Sequence, residues 1–279
     1  TIGGQSITLT STSRITATGS TSGGSVTLGG DETTQIQSSG VIDVSASPAS
    51  VQSSPSTVTD NSTNTGTQST TLASTTTTTT TGKGGSVYLK AGNISQTGQL
   101  SASGATGGSV NIAARNQVQV TGQVQADGQT ANGGQIIVTG QHIDVGDLSQ
   151  LSATGATGGG SIYVGGGWQG GPVNVQGVST QLPQATSVNI HQGATLNASA
   201  TQAGQGGTIV AWSDIQNSSS LTTVNGQLIA KGGALGGNGG KIETSGYQLN
   251  VDAIRVSTAA INGVSGEWLL DPWNITIGS

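Results

Sequence analysis

In the stretch QHIDVGD, His142 stands two positions before Asp144 and five before Asp147. On a regular strand residues 142 and 144 share a face, a spacing that would suit a weak cation site. The plainer reading is a set of solvated residues beside a turn, and His191, the second histidine, reads the same way. The other acids are Asp31, Glu32, Asp43, Asp60, Asp127, Asp214, Glu243, Asp252, Glu267 and Asp271. Cleaving a polysaccharide requires several carboxylates, with Arg or Lys, converging on one groove. Three or more carboxylates and a base on one face would mark a lyase or hydrolase. Without that convergence the expectation is no catalytic residue, no metal and no cofactor.

Other chemistries are excluded more directly. There is no Cys, hence no disulfide, thiolate metal site or cysteine nucleophile. GGALGGNGG has the glycines of a phosphate loop but neither its Gly-Lys-Ser/Thr ending nor a following helix. The calcium repeat Gly-Gly-x-Gly-x-Asp is missing, because GGNGGKI lacks the Asp. The seven basic residues are scattered in a chain of net charge -5, so nucleic-acid binding is set aside. No run of 18 apolar residues suggests a membrane span.

What could position any of these residues is a repeat. Gly-Gly-x-(Val/Ile) begins at Gly23, Gly84, Gly107, Gly133, Gly159, Gly206 and Gly239, with a related GGQSITL at Gly3. The unit is roughly 20–26 residues. The step from 159 to 206 reads as two units, that from 23 to 84 as one unit with an insertion, and that from 206 to 239 as one unit with a longer corner. Within a unit, Val110 and Ile112, then Val118 and Val120, then Val124 and Ala126 alternate with polar or small residues, giving three short strands separated by turn residues. Strands so short bury a face only when units stack. The fold class is therefore all-β, a right-handed parallel β-helix with about three strands per coil and about ten coils. Glycine corners are expected to supply positive φ and close backbone approach. The outward repeat position reads Thr8, Thr27, Tyr88, Asn111, Ile137, Tyr163, Val210, Glu243, which is no threonine ladder for binding ice.

Residues 1–279 read as a single solenoid with a Thr/Ser-rich excursion at 46–83, a second at 165–187, and a cap or terminal strand at 261–279. Four tryptophans, Trp168, Trp212, Trp268 and Trp273, are candidate surface or assembly contacts, Trp268 also as a plug for the terminal coil. Thr1 and Ile2 at one end, and Ile275 and Ile277 at the other, are candidate strand edges for pairing with another copy, head to tail.

The phrases GATLNASATQAGQGGTIVAWSD, GQLIAKGGALGGNGGKIETSGYQLNV and GEWLLDPWNITI, in this order, with IYVGGGWQG upstream, resemble the β-helical shaft of filamentous-haemagglutinin-like exoproteins of two-partner secretion. The resemblance spans about 161–277; the Asn-Pro-Asn-Leu-type motif of that family's amino-terminal secretion domain is not in this chain, which reads as a piece of a longer product or one from which that domain has been removed. The family implies export from a Gram-negative bacterium through an outer-membrane barrel partner, a secreted or cell-surface location, a role in adhesion, biofilm or contact-dependent competition, and host or bacterial surface ligands or glycans as partners. The expected function is a non-catalytic adhesive rod, able to self-assemble. The alternatives are a polysaccharide lyase or hydrolase on the same scaffold and a passive shaft for a tip domain.

Overall fold

The computed structural model describes residues 1–46 and 82–273. Most of the expected excursion at 46–83, and both Ile275 and Ile277, lie outside the described residues. Runs that alternate apolar and polar residues become short strands with one face inward. Ser25–Gly29, SVTLG, buries Val26 and Leu28, and Gln99–Ser101 buries Leu100.

Each coil contributes three strands, which stack into three parallel rows of eight. Row 1 holds Ser25–Gly29, the first halves of Ser86–Gln96 and Ser109–Val120, then Gln135–Thr139, Ser161–Val164, Thr208–Trp212, Lys241–Gly246 and Glu267–Pro272. Row 2 holds Ser6–Leu9, Gln35–Ser38, the second halves of those two long strands, His142–Val145, Ser187–Ile190, Leu221–Val224 and Gln248–Asn250. Row 3 runs from Arg14–Thr16 to Arg255–Ser257. The two long strands round the corner between rows 1 and 2 and join them into one fourteen-stranded sheet; row 3 is a separate sheet of eight. The fold is the parallel β-helix.

The register stacks like on like. Val26, Val87, Val110, Ile136, Ile162, Ile209 and Ile242 form one inward column of row 1. Ile42, Leu100, Val124, Leu151, Leu196 and Leu228 form that of row 3. All thirteen are buried, so each coil supplies the apolar surface that its neighbours cover.

Several sequence-based expectations need correction. GGQSITL does not open row 1: its strand pairs with Gln35–Ser38 in row 2, so Thr8 does not belong to the outward column beginning at Thr27. The missing row 1 strand is Glu267–Pro272, introduced by Ser265-Gly266 rather than by two glycines. The step of 47 is one coil, because the chain leaves row 1 after Val164 and re-enters the helix in row 2 at Ser187. Among the described residues eight stacked rungs stand where about ten were expected, roughly 40 Å of stack at the strand spacing. The paired glycines at the row 3 to row 1 corner are needed for close approach only. None has φ in the left-handed region. A Cβ on Gly107 would sit 2.1 Å from the Ala126 carbonyl oxygen, and one on Gly108 would sit 2.2 Å from that of Gly85. The corner closes on itself where the Gly108 N–H donates to the Ala102 carbonyl at 2.7 Å.

Candidate functional site

The outward face of row 1 departs from the pattern elsewhere. Gln135–Thr139 and Thr208–Trp212 are buried on both faces after their first residue. What covers them is the chain between Val164 and Ser187. It turns off row 1 through Gly165 at φ +85°, makes one 3₁₀ turn at Trp168–Gly170, and forms an antiparallel hairpin of Val173–Val175 with Val178–Thr180. The hairpin turn, Gln176-Gly177, has positive φ at both residues, as a two-residue type I′ connection requires. Val173 and Leu182 pack on Ile137, with Tyr163 and Val175 beside them, forming a second apolar cluster outside the solenoid core. The hairpin also reaches back over neighbouring rungs, accepting from Gln135 Nε2 at the Asn174 carbonyl (2.9 Å) and donating from Gln176 Nε2 to Ser86 Oγ (3.1 Å).

At the other end of this cover lies a carboxylate. Glu243 points outward from row 1 yet is fully buried. Its Oε2 accepts the backbone N–H of Gln169 at 2.8 Å, and its Oε1 accepts from Ser245 Oγ at 2.8 Å. Burial pushes its carboxyl above the usual carboxylate range; the two hydrogen bonds oppose that and nearby Asp271 adds to it. Lys241, two residues earlier on the same face, lies 2.8 Å from Glu267 and 5.2 Å from the Trp168 ring centroid.

The outward positions of Lys241–Gly246 and Glu267–Pro272 therefore carry three acids, Glu243, Glu267 and Asp271, and one lysine. This is the count set for a polysaccharide-cleaving site, but the access is wrong: Glu243 is sealed beneath the Gln169 turn and Lys241 is paired. A large groove adjoins this face on its Lys241 side. It has a volume of about 1360 Å³ and follows the glycine corner from rung to rung, walled by residues such as Ser86, Ser109, Thr106 and Thr157, with Gln176 of the hairpin at its rim. Lys83 and Lys241 contribute to it, and no Asp or Glu does.

The histidines are brought together with different partners from those their spacing suggested. His142 and Asp144 do share the outward face of row 2. Asp144 Oδ1, however, meets His191 Nε2 of the next rung at 2.7 Å, with Asn189 beside them, while His142 bonds Ser187 and Asp147 accepts the Gly193 N–H. Among the described residues no group of three His, Asp or Glu is placed to hold a metal.

The tryptophans separate. Trp212 is not a surface contact: it is 1% exposed, its ring lies against Gly166 and Gly170, and its Nε1 donates to Gln184 Oε1 at 3.2 Å. It points outward from row 1, but the cover closes over it. Trp168 is half-buried in that cover. Trp268 packs half-buried against the core and donates to Thr244 Oγ1 at 3.1 Å. Trp273 is exposed and stacks on Tyr247 at 5.8 Å. Thr1 is exposed; Ile2, 48% exposed, bridges Leu28 at the edge of row 1. Sequence reasoning passed over Glu243, although unbroken apolar runs such as IIV and IVAW, in place of alternation, mark strands covered on both faces.

Among solved structures the chain is similar to the HMW1 secretion domain from Haemophilus influenzae, with 20% identity and a TM-score of 0.63. The match covers 96% of this chain and 61% of that one, so this chain spans about three fifths of the structure it matches. At that identity the likeness concerns the fold. No protein-family model and no curated protein matches the sequence. Among the described residues no helix is long and apolar enough to cross a membrane.

Proposed function

We propose that this chain is part of a secreted, filamentous-haemagglutinin-like exoprotein, exported from a Gram-negative bacterium through an outer-membrane barrel and acting outside the cell as a non-catalytic adhesive rod. The observation that supports the reading is a β-helix that runs through the described residues and whose fold is similar to that of a secretion domain. The shaft-like phrases between 161 and 277 support the same reading. The long glycine groove has no Asp or Glu along its wall, and Glu267 lines only the smaller pocket that adjoins it at Lys241; this supports display over cleavage, since hydrolysis and elimination both need an acid or base at the substrate.

Two assays test it. The purified chain, immobilised on beads, should retain bacterial or host cells or glycans while leaving a panel of neutral and uronic-acid polysaccharides uncut, as read by reducing ends and by the ultraviolet absorbance of unsaturated products. Turnover that disappears in E243Q or E267Q would instead establish the enzymatic reading, for which the last two rungs supply the number of acids and the lysine but not the access. Head-to-tail self-assembly belongs to the same proposal. Negative-stain images of rods lengthening with concentration support it, and a monodisperse short rod at high concentration removes it.

A further inference from the structure

We propose that the segment between Val164 and Ser187 is a pH-responsive cover over the outward face of row 1, with the Glu243 carboxyl as the group that senses pH. The geometry is that of a lid whose 3₁₀ turn rests on two ionisable groups, Glu243 beneath Gln169 and Lys241 against Trp168, of which only Glu243 is buried. The segment itself, GGGWQGGPVNVQGVSTQLPQAT, contains no ionisable side chain. Its 3₁₀ turn reaches the sheet through the Gln169 N–H on Glu243 Oε2, and Gly165 at φ +85° gives the turn-off from the strand.

The charged groups around Glu243 leave it without a counter-ion. Thr208–Trp212, the strand on one side, has no titratable side chain. Glu267–Pro272, on the other, contributes Asp271 and Glu267, both acids. Lys241, on the same strand, is paired to Glu267 and lies against Trp168. A carboxylate buried without a cation is costly, and a protonated carboxyl in the same place is far less so. Protonation loses neither contact. Oε2 continues to accept from Gln169, while a proton on Oε1 is donated to Ser245 Oγ, reversing the present bond.

The sign follows from linkage. Burial beneath the cover raises the carboxyl of the docked state above that of the undocked state, which water solvates. The docked state therefore binds more protons. Its advantage is complete below the undocked carboxyl range, falls as pH rises toward the docked value, and stays at its lower level beyond it. Acid closes the cover and neutral-to-alkaline conditions loosen it, exposing Val210, Trp212 and Ile137. The docking constant changes about tenfold for each unit by which docking raises the carboxyl.

Amide NMR of the whole chain across the acid-to-neutral range tests this. The Gln169 backbone N–H and the Trp212 indole N–H should titrate together, with a midpoint above the ordinary carboxylate range. Protection of the Gln169 amide from exchange, corrected for intrinsic rate, should fall across that midpoint as pH rises. E243Q should abolish the titration and hold the cover closed at every pH. D271N should lower the midpoint by removing a neighbouring negative charge, and it decides the matter if E243Q does not fold. Signals that do not titrate, a titration that survives in E243Q, equal protection on both sides of the midpoint, or an unmoved midpoint in D271N would each overturn the proposal. None of these outcomes depends on whether the chain is exported or adhesive.

Discussion

Rows 1 and 2 belong to one sheet and share one pleat, yet their outward faces are opposites. On row 2 that face presents residues such as Gln37, Gln119, Asp144, Asn189 and Thr223, all in contact with solvent. On row 1, between Gln135 and Gly246, it includes Ile137, Val210, Trp212 and Glu243, none more than 1% exposed, with Tyr163 half-buried among them and Lys241 exposed at its start. The backbone is the same in both; what differs is whether a further layer of chain lies on top. A β-helix face is thus not fixed as exterior by its place in the coil. It becomes a second core wherever a corner sends out enough residues to cover it.

The largest effect should come from the glycine corner through which the chain enters row 1 from row 3. Gly134→Val places a Cβ 2.1 Å from the Gly108 carbonyl oxygen in a rung that cannot move without its neighbours. It should cost about 4 kcal/mol or more in urea unfolding, or prevent folding. The comparison sharpens with two adjacent isoleucines. Ile136→Ala opens the inner core and should cost about 3 kcal/mol in the global transition. Ile137→Ala removes the same volume from the outer cluster. Its loss, about 2 kcal/mol, should show instead as faster hydrogen exchange at 173–182 with the coils unchanged. On row 2, His191→Ala should cost under about 1 kcal/mol, because its contact with Asp144 is partly open to solvent. Gln119→Ala, with nothing above it, should stay within about 0.5 kcal/mol. An Ile137 variant as silent as the Gln119 variant would break the contrast between the two faces.

Much of this was legible in the sequence because the solenoid is local. Gly-Gly pairs at 84, 107, 133 and 159 open successive row 1 strands, and alternating Val and Ile give the inward columns directly. The same pattern misled where its neighbours differ. At Gly3 the next strand belongs to row 2, and the pair before Glu267 is Ser-Gly, small enough to enter the same tight corner. The joining of His191 to Asp144, and of Gln169 to Glu243, was not legible. Each spans rungs, and its register depends on how many residues each intervening corner takes up. The candidacy of Trp212 as a surface contact fails because the cover, not the coil, decides whether its outward ring meets solvent.

The corner from row 1 to row 2 takes two residues between Thr139 and His142, eight between Trp212 and Leu221, and twenty-two between Val164 and Ser187, with the rungs on both sides still in register. Closure entropy grows only with the logarithm of length, so the longest of these costs about 2 kcal/mol more than the shortest. That edge of the molecule is consequently cheap to elaborate. Evolution, or a designer, can graft new recognition segments there without renegotiating the stack beneath.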